Sequence, residues 1–313
     1  MIKRLDLTGL ILLKLNKLII FISGSSGIIG KQLTKQLYLT YPNSTIYEIC
    51  RKNVKSNPYC IELDLLNTNS FKIDALFNRY KPVLFFHLAW CTNHSDYLIS
   101  DENIKWEQTT INLINSFYNS GGQKFIGIGS SIEYDWKYPS PFNEFNSKLN
   151  GNTWTYGKSK INIFNYLTNI PNISFQWDRV FFVFGPGQSK NRLIPLIINN
   201  ALNNSEALSI NLKLGRDYIS TFEIAKQISM MSTTSYSGSL NICSGKPMLL
   251  GDLVSKIETM TQKKVSISSN EYIDNFDVQN ISGCQDIIKS YFSDYIYSEN
   301  DFEKDLKQTI ELN

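Results

Sequence analysis

Leu18-Ile19-Ile20-Phe21-Ile22-Ser23-Gly24-Ser25-Ser26-Gly27-Ile28-Ile29-Gly30 is the stretch on which the fold turns. Its first six residues form a continuous apolar run of strand length, as expected of a strand buried on both faces of a parallel sheet. A glycine turn follows directly, and a helical pattern continues over 31–39. In that order the parts have a physical purpose. The glycines permit a tight turn and let backbone N–H groups at a helix N-terminus approach a pyrophosphate, while Gly30 lets the helix pack close to the sheet. The spacing is Gly-x-x-Gly-x-x-Gly rather than the commoner dinucleotide fingerprint. Gly24, Ser26, Gly27, Ile28, Ile29 and Gly30 are the cofactor-binding candidates of this turn.

Outward from it, strand and helix patterns alternate. A second strand over 45–50 ends in Arg51-Lys52, where an NAD site would offer a carboxylate to the ribose. Cations there suit a 2′-phosphate and favour NADPH, with NAD possible; the alternative is a pair of solvated loop charges. A third strand over 60–63 leads to Asp64-Leu65, and a fourth over 83–87 to Leu88-Ala89-Trp90. Both strand ends should face the cofactor, because ligands of such sheets lie beyond the carboxyl ends of the strands. A helix over 106–119 stops at Gly121-Gly122, and a fifth strand over 124–129 ends in Ser130-Ser131. After a proline-containing loop over 137–152 comes Trp154-Thr155-Tyr156-Gly157-Lys158-Ser159-Lys160 at the start of a helix. Tyr156 and Lys160, four apart, share a face of it. An ammonium beside a phenol favours the ionised form, so Lys160 is expected to lower the pKa of Tyr156. A sixth strand over 173–184 closes with Gly185-Pro186-Gly187, and 241–245 returns to the sheet.

The pattern predicts an α/β, Rossmann-type doubly wound parallel sheet with a smaller mixed α/β C-terminal substrate lobe. The expected division is an N-terminal extension over 1–17, a dinucleotide-binding domain over 18–187 completed by 214–245, and a substrate lobe from 188–213 and 246–313. Composition agrees with a globular chain: 42% of the 313 residues are apolar, ample for a core, and the net charge of +3 is spread without a basic face, so nucleic acid is not implied. The apolar region 10–22 is interrupted by Lys14 and Lys17 and is too short for a bilayer, so neither a membrane span nor a signal peptide is expected. The five cysteines are scattered and odd in number, which argues for reduced thiols and a cytoplasmic location. His87 and His94 lack ligand spacing; both read as structural, and no metal is expected.

Together these residues resemble the extended short-chain dehydrogenase/reductase family of nucleotide-sugar epimerases, dehydratases and ketoreductases. The match runs from 18 to about 245 and rests on the glycine turn, His87-Leu88-Ala89, Ser130, Tyr156-Gly157-Lys158-Ser159-Lys160, Arg179-Val180-Phe181, Gly185-Pro186-Gly187 and Gly215-Arg216-Asp217-Tyr218-Ile219. Within the family, Gly129-Ser130-Ser131-Ile132-Glu133-Tyr134-Asp135-Trp136, with Trp106 and Gly121-Gly122 before it, looks most like the branch that reduces 4-keto sugars to abequose- and paratose-type products. The resemblance implies Tyr156 as general acid and base, Lys160 as its modulator and a ribose ligand, and Ser130 as the hydroxyl orienting the substrate oxygen. It places Asp64 and Leu65 at the adenine, Ala89 on the nicotinamide side with Leu88 and Trp90 as further cofactor-binding candidates, Arg216 on a substrate phosphate, and Ser131 and Arg192 in the substrate pocket; a surface salt bridge is the alternative for Arg192. It also implies a homodimer.

Departures from family patterns sort the activities. The acidic pair that 4,6-dehydratases carry after the catalytic hydroxyl is replaced by Ser131-Ile132, and the cysteine base of fucose-type epimerase/reductases by Ile132. Many 4-epimerases have an asparagine where this chain has Phe182. Glu133 is either an extra base or a support for Tyr134 or Trp136. The expectation is NADPH-dependent reduction of a nucleoside-diphosphate 4-keto-6-deoxy sugar. A 4-epimerase with tightly bound NAD is the alternative, and a non-catalytic cofactor-binding protein the second.

Overall fold

The computed structural model describes residues 17–52, 57–91, 96–203, 206–269 and 279–312. At its centre, β1 (Ile19–Ser23) pairs in parallel on one side with β2 (Thr45–Cys50) and on the other with β4 (Leu84–His87). Beyond β2 lies β3 (Cys60–Glu62); beyond β4 come β5 (Lys124–Ser130), β6 (Ser174–Val180) and β11 (Gly238–Ile242). The sheet order β11-β6-β5-β4-β1-β2-β3 is parallel throughout. The chain moves outward from β1 to β3, then crosses back to start β4, so a crevice opens beyond the carboxyl ends of β1 and β4.

The apolar runs are explained by burial on both faces. Ile20 and Ile22 face one helical layer, where Leu33 and Leu37 of α1 (Ile28–Thr40) meet Ile224, Ile228 and Met231 of α6 (Thr221–Ser232). Phe21 faces the other layer. There α2 (Ser70–Tyr80), α3 (Glu102–Asn119) and α4 (Thr155–Asn169) contribute Phe77, Leu113, Phe117, Ile163 and Leu167 around Phe85, Phe125 and Trp177. A separate apolar core joins β7 (Phe182–Phe184), α5 (Leu193–Asn203), β10 (Tyr218–Ser220), α7 (Leu250–Thr261) and α9 (Glu299–Glu311) through Phe184, Ile197, Leu253, Ile257, Phe302 and Leu306. Two small sheets edge it: β8 (Leu208–Ile210) with β13 (Ile267–Ser269), and β9 (Gly215–Arg216) between β12 (Met248–Leu249) and β14 (Asn280–Ile281). The short α8 (Asp286–Tyr291) packs back against the first layer through Ile287 and Ile288.

Three expectations are corrected. The strand expected over 173–184 is two strands: β6 stops at Val180, and β7 leaves the large sheet to pair with β10. The transfer is made by backbone donors, Phe181 N–H to the Ile242 carbonyl at 3.1 Å and Phe182 N–H to the Asp217 carbonyl at 3.1 Å. Next, Cys50 and Cys60 form a disulfide rather than remaining thiols. Parallel register sets Glu48 opposite Cys60 and Cys50 opposite Glu62, so the two cysteines lie on adjacent strands with Cα atoms 6.6 Å apart, within bridging range. That pairing removes the step from scattered thiols to a reducing compartment; Cys91, Cys243 and Cys284 take no part in it. Helix α3, expected from 106, begins at Glu102. Among the described residues no helix is long and apolar enough to cross a membrane, and no cluster of His, Cys, Asp and Glu could hold a metal ion. His87 is buried between the Ser23 and Thr110 hydroxyls, at 2.7 and 3.0 Å. His94 and residues 1–16 lie outside the described residues.

Candidate active site at the carboxyl edge of the sheet

Gly24 has φ +74°, and a Cβ there would stand 2.6 Å from the Ala89 nitrogen and 2.7 Å from the Leu88 carbonyl carbon. The turn after β1 is therefore pressed onto the segment that leaves β4. At Gly30 a Cβ would meet the Gly24 oxygen at 2.1 Å, so α1 packs against the turn closer than any side chain allows. Gly27 caps α1 with no side-chain hydrogen bond, no acidic residue occupies the first turn, and Ser26 and Gly27 are exposed. The leading N–H groups of the helix are thus left to an anion. This cradle fits the pyrophosphate of a dinucleotide, with Ile28 and Ile29 opening the helix. Arg51 and Lys52 are exposed at the end of β2. Beyond β3, Asp64 caps the single turn Leu65–Asn67, accepting from Leu66 N–H at 3.2 Å and Asn67 Nδ2 at 2.8 Å, and Leu65 is buried.

On the other side of the crevice, Ser130 ends β5 and caps the turn Ser131–Glu133. Its Oγ accepts from Ile132 N–H at 3.3 Å, and Glu133 Oε1 accepts from Ser130 N–H at 2.8 Å. The Ser130 side chain neighbours the Tyr156 phenol and favours its ionised form. Tyr156 donates its backbone N–H to the Leu98 carbonyl at 3.0 Å, which docks the turn over 96–99 onto the start of α4. One helical turn on, Lys160 Nζ donates to the Ile128 carbonyl at 2.8 Å and lies 3.4 Å from the ring centroid of Trp90 and 5.6 Å from that of Tyr156. The structure thus brings Ser130, Tyr156 and Lys160 together. Trp90 carries the contact on through Ala89 and Leu88 to the glycine turn.

Electrostatically the pair differs from expectation. Burial raises the Tyr156 phenol above its ordinary range, and the neighbouring Tyr97 and Glu133 push the same way; the Ser130 side chain and the charge of Arg192 oppose them. The expected lowering by Lys160 is corrected: desolvation dominates, and the ammonium lies against the Trp90 face. Lys160 is itself driven down to about 7 by burial, with Glu133 opposing. Glu133 is no free base. It is fully buried and accepts from Ser130 N–H, from Trp177 Nε1 at 3.1 Å and from Arg179 Nε at 2.8 Å. Glu133 makes no direct hydrogen bond to Trp136, whose Nε1 donates to the Ser131 carbonyl at 2.9 Å; it reaches Tyr134 through Arg179, whose Nη1 donates to the Tyr134 hydroxyl at 3.3 Å, while that hydroxyl donates to Asn241 Oδ1 at 2.6 Å.

Arg192 is half-buried with its guanidinium 4.9 Å from the Tyr97 ring centroid, and Tyr97 meets Tyr156 edge to face at 5.3 Å. Arg216 sits on β9, its Nη1 donating to the Gly215 carbonyl at 2.9 Å and its guanidinium 5.5 Å from the Phe182 ring. Ser131 is buried. Two residues escaped sequence reasoning. Tyr97 covers Tyr156, and the fully buried Asn103 accepts from Trp90 Nε1 at 2.8 Å while donating to the Tyr97 and Ser100 carbonyls at 2.6 and 2.8 Å. An asparagine in the first turn of a helix carries no periodic signal of such a role.

The structure resembles several solved enzymes. UDP-N-acetylglucosamine 4-epimerase from Methanobrevibacter ruminantium, in complex with UDP-N-acetylmuramic acid, superposes with TM-score 0.81 at 20% identity, covering 95% of this chain and 98% of that one. UDP-glucose 4-epimerase from Thermotoga maritima gives 0.75 at 16%, with 94% and 98% covered. The NAD-dependent NDP-hexosamine 5,6-dehydratase TunA of tunicamycin biosynthesis gives 0.76 at 16%, with 95% and 97% covered. At these identities the likeness is one of fold. No curated protein matches the sequence. The model of the NAD dependent epimerase/dehydratase family matches residues 20–243, from β1 to the end of β11, and the chain belongs to that family.

Proposed function

We propose that the protein modifies a nucleotide sugar by hydride transfer at C4, as an NADPH-dependent reductase of a 4-keto-6-deoxy sugar. The observation that carries this reading is the grouping of Ser130, Tyr156 and Lys160 at the end of β5 and the start of α4, joined through Trp90 to the Leu88–Ala89 segment on which the glycine turn is pressed. When bound, the nicotinamide supplies the hydride. As hydride reaches the carbonyl carbon the oxygen gains charge, and donors aimed at that oxygen stabilise the transition state more than the ground state. Tyr156 gives its proton to the new alkoxide, Ser130 orients the oxygen, and the Lys160 cation eases the loss of the phenolic proton. Proton donation of this kind contributes about 10² to 10⁴-fold. Arg51 and Lys52 take a 2′-phosphate. Arg192, Arg216 and Ser131 line the substrate side, with the lobe of 188–213 and 246–313 over it.

Elimination is disfavoured, because the acid nearest the catalytic hydroxyl, Glu133, has its oxygens committed to Ser130, Trp177 and Arg179. A second reading, 4-epimerisation with retained NAD, is favoured by the 4-epimerases among the structural neighbours. Incubation with a panel of nucleoside-diphosphate 4-keto-6-deoxy sugars separates the two. A reductase consumes NADPH in stoichiometry with a new alcohol, identified by mass spectrometry and NMR. Interconversion of 4-hydroxy epimers by protein carrying its own NAD, with no net consumption, would replace the first reading by the second.

A further inference from the structure

Lys160 is almost fully buried, and its ammonium has three protons to place. One goes to the Ile128 carbonyl. Among the described residues, the carboxylate acting on the ammonium is Glu133, itself engaged with Arg179 behind it. An ammonium so placed loses its proton easily unless something else favours the charge. The remaining neighbour is an aromatic face. Lys160 Nζ stands 3.4 Å from the centroid of Trp90, closer than to Tyr156 or Trp177, at 5.6 and 5.8 Å. The indole does not lie there by chance of packing. Its N–H is fixed by buried Asn103, and its ring stacks on Trp106 at 6.0 Å with planes 26° apart. Asn103 also holds the Tyr97 and Ser100 carbonyls, in the turn whose Leu98 carbonyl receives the Tyr156 N–H. One side chain therefore sets both the ring under Lys160 and the backbone over Tyr156.

We propose that Trp90 is a positioning residue for Lys160: its indole face, oriented by Asn103, binds the ammonium as a cation–π partner and keeps it charged beside Tyr156. Its catalytic meaning rests on the reading above, where the Lys160 cation eases proton loss from Tyr156; the placement itself does not. The titratable groups around Lys160 are few. Glu133, from the turn after β5, favours the cation. His87, from β4, is held neutral by burial and by Lys160, down to about 3. Tyr156, from α4, stays a neutral phenol, and Arg179, from β6, is matched by Glu133. Near neutral pH the titration of this cluster therefore belongs to Lys160, and the indole face shifts its midpoint upward.

The test needs neither substrate nor cofactor, so its failure is separate from failure of the proposed reaction. The full chain is labelled with ¹³C at the lysine Cε, and the Lys160 resonance is identified by its loss in Lys160→Met. Its midpoint is followed by NMR against pH in the wild type, Trp90→Phe and Trp90→Leu. The expected result is a Lys160 midpoint lower in Trp90→Leu than in wild type by about half a pH unit or more, with Trp90→Phe, which keeps a smaller π face, in between. If Trp90→Leu does not fold, the smaller downward shift in Trp90→Phe carries the test. A midpoint unchanged or raised in the folded variants overturns the proposal, and Trp90 is then a packing residue only.

Discussion

Tyr156 is a phenol kept protonated by burial, with the Ser130 side chain beside it. A protonated phenol is the correct form for an acid that waits for an alkoxide. The Lys160 charge, held against Trp90, then matters during transfer more than at rest. Replacing Tyr156 by Phe removes the proton and little else, so turnover should fall by about two orders of magnitude or more with dinucleotide affinity nearly unchanged. Steady-state rates and a fluorescence titration of the bound dinucleotide check this, and a variant at full rate would remove the assigned acid. Arg51, exposed just past β2, is the other residue with a separable effect. Arg51→Glu should move preference from NADPH toward NADH by about tenfold, because an acid there repels a 2′-phosphate and accepts from ribose hydroxyls. Equal kcat/KM ratios in both proteins would mean the phosphate is read elsewhere.

The β1–turn–α1 unit works by absence of side chains, and its glycines do different jobs. At Gly30 an added methyl meets the Gly24 oxygen at 2.1 Å, so α1 must move off the turn. Gly30→Ala should therefore cost about 1–3 kcal/mol of stability and weaken dinucleotide binding at least tenfold, read by thermal unfolding and by titration. Gly121, with φ +93° and open space around it, is the contrast: Gly121→Ala should lose about 1 kcal/mol through backbone strain alone and bind as before. If the two variants bind alike, the close packing of the turn is irrelevant to the site. Elements of this kind are legible in sequence because burial on both faces writes itself as an apolar run, as in Ile19–Ser23, and because a tight turn demands glycine. The break after Val180 was not legible, since 180–184 stays apolar across it while the partner changes from β11 to β10. The Cys50–Cys60 bridge depends on parallel register, which no local pattern states. Tyr156 and Lys160 were visible by helical spacing, but their electrostatics are set first by burial and then by Tyr97 and Glu133, brought from other elements.

At the scale of the whole molecule, the C-terminal segment is tied to the large sheet by the apolar packing of Ile287 and Ile288 and by buried polar groups. Glu144, in the loop between β5 and α4, accepts the Asn241 N–H of β11 at 2.8 Å, while its other oxygen has no partner. Asn241 in turn donates to the Phe142 and Cys284 carbonyls. Burial raises the Glu144 carboxyl to about 7, against the opposing Asn241 bond and the Arg179 charge. An unfolded glutamate loses its proton near pH 4.3. Between that pH and about 7 the folded chain therefore holds a proton that the unfolded chain has released. The contribution is fully present below the unfolded pKa and is lost as pH rises to the folded one. Asp178 and Asp217, raised by burial to about 7 and about 6, act in the same direction. His87, lowered to about 3, acts the other way up to its unfolded pKa near 6.5, but the three carboxyls outweigh one imidazole, so stability should decline from pH 5 to pH 7.5. Glu144→Gln, neutral in both states, should remove about 1–3 kcal/mol of that decline and leave the part due to the aspartates. Urea midpoints of the two proteins at the two pH values measure the difference directly, and parallel lines would show that Glu144 is ionised in the fold at neutral pH and that its burial is offset by contacts beyond Asn241.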